Sequence, residues 1–219
     1  MTLSIDDLNR AALLGLLKPD EIVAFQSNPK HHDHIGLKLK PDGVLGAKTR
    51  WALSFETLCP ERRALIRTGH AFAHVVEVPL GSNSDPEGWI LRWLERCPGC
   101  KPHDPYCAAF VSWVISQSLT KVAIGGALAL GRHFPETDDP VCGDIFTIPT
   151  NDKGAGHTGF VLGTGSTQIM TWEANSSDRV GCWLRDRVPT MRFHRVVQNE
   201  TGRAPGCVPS MPTAGQRTR

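Results

Sequence analysis

At 219 residues the chain has room for one domain with a good core, or for a domain of about 130 to 150 residues carrying a small module. Hydrophobic residues make up 40% and charged ones 21%, an ordinary balance for a globular protein, and a net charge of +2 excludes a strongly basic nucleic-acid binder. No stretch approaches the ~20 apolar residues of a membrane span, and the cysteines, at 59, 97, 100, 107, 142, 182 and 207, form an odd set without the regular framework of a disulfide-built domain.

The first elements are helical. Residues 4–17 (SIDDLNRAALLGLL) place acidic residues in a first turn after Ser4 and repeat leucine and alanine at helical spacing, which predicts an amphipathic helix. Pro19 ends it and opens a second, shorter helix, DEIVAFQ. Residues 29–43 read as a polar loop, and His31, His32 and His34 within it read as solvated side chains with no assigned role. The glycine-bearing turn at Asp42-Gly43 then enters a third helix whose Trp51, Ala52 and Phe55 fall on one side.

From Pro60 a long helix is expected through ERRALIRTGHAFAHVV, followed by the turn-rich residues 79–86, a short helix over 87–96 and a Cys/Pro/Gly loop. Cys107 stands at the start of the next helix, expected over about 106–119. The small-residue stretch AIGGALALG is ambiguous, with a loop as one reading. Beyond Pro140, five apolar segments separated by Gly, Asn and Asp turns (DIFTI, HTGFVLG, TQIMTWEA, VGCWLRD and TMRFHRVV) predict an antiparallel sheet. Helices first and strands second indicate an α+β fold. Residues 198–219, rich in Pro, Gly, Thr and Arg, are expected to be a disordered tail.

Three residues in this order can carry out covalent catalysis. A cysteine at a helix start has its sulfur beside unpaired N–H groups and the positive end of the helix dipole, a setting that favours a thiolate nucleophile. His157, at the head of the segment HTGFVLG, can act as base and acid near neutrality. Glu173 can accept the other ring N–H of that histidine. Asn175, two residues on, would face the same side of an extended strand and could assist or replace Glu173. One oxyanion donor would be the Cys107 backbone N–H.

The same stretch contains a competing pattern. Cys97-x-x-Cys100-x-x-His103-x-x-x-Cys107 offers four zinc ligands within eleven residues. A zinc ion bound there would remove Cys107 from catalysis. Cys97 and Cys100 could instead form a disulfide or remain two thiols, and Cys59, Cys142 and Cys182 read as small buried or half-buried apolar groups.

Two resemblances add to these readings. The segment Asp42-Gly43-x-x-Gly46-x-x-Thr49, followed by Ala52, Leu53 and Phe55, resembles the peptidoglycan-binding domain family; the family's upstream Val-x-x-Leu-Gln helix is degenerate here. The likeness implies that residues 1–58 form a three-helix module that holds the bacterial wall through Asp42, Gly43, Gly46 and Thr49. The alternative is a helical cap that packs on the rest of the chain.

Tyr106-Cys107-Ala108-Ala109-Phe110, then Gly143-Asp144-Ile145-Phe146, then Gly156-His157-Thr158-Gly159 and Trp172-Glu173-Ala174-Asn175 resemble, in order, the CHAP family of cysteine, histidine-dependent amidohydrolases and peptidases. Tyr106 stands where a tryptophan is often found. The resemblance covers about residues 66–197 and implies a papain-like domain over 60–197. By it Cys107 is the nucleophile, His157 the base, Glu173 the orienting acid and Asn175 a supporting group. It also implies cleavage of a peptidoglycan amide bond, as an N-acetylmuramoyl-L-alanine amidase or a stem or cross-bridge endopeptidase, without a cofactor.

The partner is then peptidoglycan, with no nucleic acid and no stable membrane insertion, and the chain is expected to be a monomer. The first twenty residues lack the features of a secretory signal, which fits a phage endolysin made in the host cytoplasm and acting on the wall after release. The rival readings are a non-catalytic wall-binding or zinc-stabilised structural protein and a papain-like acyltransferase.

Overall fold

The structure, a computed structural model, describes residues 4–151 and 154–198; most of the expected tail lies outside them. It is a mixed α+β arrangement, with seven helices followed by a five-stranded antiparallel sheet among the described residues. No helix there is long and apolar enough to cross a membrane.

Helix α1 (Ile5–Leu13) is shorter than its hydrophobic pattern predicts. Gly15 adopts a left-handed φ of 70°, and Leu16 N–H closes back onto the Ala11 carbonyl, a glycine-based stop. Helix α2 (Pro19–Gln26) begins with proline in its first turn, and the Glu21 carboxylate accepts the Lys18 backbone N–H at 2.9 Å. Helix α3 (Ala47–Glu56) buries Trp51, Ala52, Leu53 and Phe55.

Helix α4 (Pro60–His70) stops one and a half turns before the expected end. The two valines that follow are recruited elsewhere: Val75 accepts a hydrogen bond from Val180 N–H, and Val76 forms a β-bridge with Arg179. Tertiary pairing has overridden a weak local preference, as is common for β-branched residues. Helix α5 (Trp89–Glu95) contributes Trp93 to a group of edge-on aromatic contacts with Phe72 and Phe110.

Helix α6 (Cys107–Ser118) is the centre of the molecule. Cys107 to Ser112, Val114 and Ile115 are all buried, so the helix is apolar around most of its circumference. It packs against α4, α5, β2 and β3, and also against α7 (Ala127–Arg132), the helix that forms within the stretch left ambiguous by its sequence.

The sheet order is β4-β3-β2-β1-β5, with β1 Ile145–Pro149, β2 Gly156–Thr164, β3 Gln168–Ser176, β4 Arg179–Asp186 and β5 Arg192–His194. Alternation sorts the side chains: Phe160, Leu162, Met170, Trp172 and Ala174 join the main core with α6, while Phe146, Val161, Ile169 and Phe193 form a small second core.

The main core runs without a break from α1, α3 and the residue before α4 into the sheet. Trp51, 1% exposed, donates its Nε1–H to the Leu162 carbonyl at 3.2 Å, which ties α3 to β2. A buried ion pair, Arg62 to Asp144 at 2.8 Å, anchors α4 to the entry of β1.

Candidate functional site

Cys107 is the first residue of α6, and Tyr106 before it provides no side-chain cap. Phe110 N–H is bonded to the Tyr106 carbonyl at 2.9 Å, so the N–H groups of residues 107–109 lie in the turn that has no intrahelical acceptors. Cys107 is only 4% exposed, and its thiol is close enough to the His157 imidazole to raise that ring's proton affinity.

His157 is the second residue of β2, at the end of the strand that lies between β1 and β3. Its Nε2–H donates to Glu173 Oε2 at 2.7 Å. Because that nitrogen faces a carboxylate it carries the proton, which leaves the other ring nitrogen for Cys107. The structure therefore brings Cys107, His157 and Glu173 together.

Glu173 is fully buried on β3 and accepts five hydrogen bonds from four side chains. Thr171 Oγ1 and Arg185 Nε donate to Oε1, while His157 Nε2, Ser176 Oγ (2.8 Å) and Arg185 Nη2 donate to Oε2. Burial alone would push this carboxyl up. The Arg185 fork, then His157, then Thr171 outweigh burial and bring it down to about 2. At His157 burial pulls down, but the hydrogen bonds and charges of Cys107 and Glu173 raise the imidazole to about 9.

Gly159 makes the carboxylate's position possible. It pairs with Glu173 across the β2–β3 ladder, and a Cβ at 159 would lie 2.7 Å from Glu173 Cγ and 2.7 Å from the Trp172 carbonyl oxygen. Only a glycine lets the two strands carry Glu173 in this place.

These shifts predict how stability follows pH. The raised His157 contributes fully below its unfolded value of 6.5, and that contribution is lost as pH rises through about 9. The lowered Glu173 contributes above its unfolded 4.5 and loses its contribution as pH falls towards about 2. Unfolding free energy measured by denaturant titration should fall by a few kcal/mol as pH rises from 6.5 to about 9. In His157→Gln that alkaline slope should flatten; an unchanged slope would remove His157 as its source.

Asn175 is not placed where an unbroken strand would carry it. The β3–β4 register shifts between Glu173 and Ser176, and Asn175 has a left-handed φ of 59°. The irregularity breaks the two-residue alternation, so Ser176, not Asn175, turns its hydroxyl to Glu173. The Asn175 side chain makes no hydrogen bond to His157 or Glu173.

The candidate zinc ligands do not converge. His103 turns its Nδ1 to the Ser82 carbonyl at 2.8 Å, Cys97 and Cys100 are neighbouring free thiols, and Cys107 lies beside His157. Among the described residues no group of three or more His, Cys, Asp or Glu side chains is arranged to hold a metal ion.

The turn residues near the amino terminus are occupied internally. Gln26, 4% exposed, donates to Asp42 Oδ1 (3.1 Å), Thr49 Oγ1 (3.0 Å) and the Val44 carbonyl, and accepts from Gly43 N–H at 3.0 Å. Asp42 and Thr49 thus close the turn around a buried amide, while Gly43 supplies its left-handed φ of 70°. Gly46 is the residue before α3, with open space where a Cβ would be. Ile22, Phe25 and Gln26 form the buried side of α2.

No protein-family model matches the chain, and no curated protein sequence is significantly similar to it.

Proposed function

We propose that the chain is a cysteine amidohydrolase or endopeptidase of the CHAP type, with a papain-like catalytic region, that cleaves an amide bond of peptidoglycan. The observation that carries this reading is the His157 imidazole, hydrogen-bonded to the buried Glu173 at 2.7 Å and lying beside the Cys107 thiol at the start of α6. A packing-only cysteine has no need of a histidine whose second nitrogen is fixed by a carboxylate.

The chemistry follows from the geometry. With His157 protonated, the Cys107 sulfur sits between an imidazolium and a helix amino end, the setting in which thiols act as thiolates. The sulfur adds to the amide carbon and the carbonyl oxygen takes the negative charge, facing the uncapped N–H groups at the start of α6. Collapse breaks the C–N bond. His157 gives its proton to the departing nitrogen, leaving an acyl-thioester and a neutral imidazole. Water, deprotonated by that imidazole, then releases the acid and restores the starting state. Glu173 keeps the ring oriented throughout and stays ionised.

The substrate side of the proposal rests on the two sequence likenesses. The Asp42 to Thr49 turn, closed on Gln26, supports a folded helical module that would present the chain to the wall. Purified sacculi provide the test. Cys107→Ala should reduce clearing by more than about 10³-fold while sacculus pull-down is retained, and undiminished clearing would sink the thiol mechanism. Mass spectrometry of the released fragments then identifies the bond, since new amino termini on whole stem peptides separate an amidase from an endopeptidase.

A further inference from the structure

We propose that Arg185 is a positioning residue of this site: its guanidinium holds Glu173 ionised and limits how tightly that carboxylate retains the proton on His157. The inference rests on the hydrolase reading for its catalytic meaning, but the charge relationship stands on the geometry itself.

Arg185 lies on β4 opposite Ile169 and reaches diagonally to Glu173. Nε and Nη2 contact the two carboxylate oxygens separately, and Nη2 also donates to Ser176 Oγ at 2.7 Å. This is a fork that a point cation cannot reproduce. Arg185 makes no other ion pair among the described residues.

The surroundings of Glu173 make this the deciding charge. From β2 it faces His157, and from β4 it faces Arg185. Its own strand offers hydroxyls alone, Thr171 and Ser176. Among the described residues Arg185 is therefore the one permanent cation on the carboxylate.

Two consequences follow. A buried carboxylate whose only ionic partner is an imidazole can take the proton back and leave a neutral pair. The guanidinium prevents that. Its positive charge also offsets part of the carboxylate's pull on the imidazolium, so that His157 can release a proton to a leaving nitrogen. Removing a positive charge must raise the proton affinity of every group that feels it.

Arg185→Gln should consequently move both limbs of the pH–rate profile to higher pH, the acid limb by roughly 1–3 units. The His157 ring resonance, followed by NMR in the full chain, should titrate at higher pH than in wild type. Arg185→Lys keeps the charge but loses the fork, so its limbs should stay within about half a unit while its turnover falls. A residue that only packs would lower rate or stability with limbs and NMR titration unmoved, and that result overturns the proposal. Should the glutamine variant not fold, the lysine variant decides, since displaced limbs there overturn it equally. If Cys107→Ala retains clearing, the hydrolase reading fails, yet the NMR comparison still settles what Arg185 does to His157.

Discussion

Replacing Glu173 by glutamine is expected to lower the rate of sacculus clearing by about 10³- to 10⁴-fold, the range seen when an orienting acid is neutralised in a catalytic triad. The swap keeps volume and shape, so it isolates charge and donor pattern. Each carboxylate oxygen now receives an arginine N–H, Nε at Oε1 and Nη2 at Oε2. Whichever way the new amide is turned, its NH₂ meets one of those fixed donors. Thr171 and Ser176 can rotate their hydroxyls away, but the guanidinium cannot rotate its own N–H groups.

The same substitution leaves Arg185 without its anion and His157 without the charge that supports its imidazolium. Losing one partner of a buried pair costs about 3–5 kcal/mol; because Arg185 is 31% exposed, water recovers part of this. A lowered melting temperature should therefore accompany the lost activity. Rates at a temperature well below that melting point separate the two effects. Clearing within tenfold of wild type under those conditions would show that Glu173 does not orient His157 for catalysis.

Much of the fold was legible because its signals are local. Hydrophobic runs cut by Gly, Asn and Asp announced all five strands, and Pro19 and Pro60 marked two helix starts at the correct residues. The misreadings came from contacts distant in sequence. Val75 and Val76 continue a helical pattern by composition but pair with the start of β4, more than a hundred residues away. The stretch at 123–131 has too little periodicity to declare itself, yet Leu130 is completely buried and α7 forms against β1 and β2.

The candidate site divides along the same line. Cys107 and His157 could be named because each stands at the head of an element, where a reactive group is recognisable from its neighbours. Thr171 was open to inference as well, two residues before Glu173 on one strand face. Arg185 was not, because its contact depends on the β3–β4 register and on a diagonal reach that no spacing rule gives. Asn175 shows the converse failure. An alternation argument is interrupted by one irregularity between residues 173 and 176, and the hydroxyl that bonds to Glu173 comes from Ser176, which no spacing rule singles out.

Gly159→Ala is the second substitution expected to have a large effect, and it acts without removing any polar group. Its new Cβ would meet Glu173 Cγ and the Trp172 carbonyl oxygen at 2.7 Å, and Phe146 Cε1 at 3.0 Å. The carbonyl belongs to a strand paired on both sides and cannot retreat. Strain of this kind costs typically 1–3 kcal/mol. The side chain with freedom to yield is Glu173, and moving its carboxylate by about 1 Å loosens the hold on His157, for which a drop of about 10²-fold in rate is expected.

Gly181 supplies the matched control. It also faces Glu173, from the other neighbouring strand, but a Cβ there would meet only Trp183 atoms, at 3.9 and 4.0 Å. Gly181→Ala should thus clear sacculi at close to the wild-type rate and melt near the wild-type temperature. Equal losses in both alanine variants would mean that the sheet is sensitive to any added methyl group beside Glu173. Loss confined to position 159, together with a lowered His157 titration midpoint, ties the defect to the displaced carboxylate.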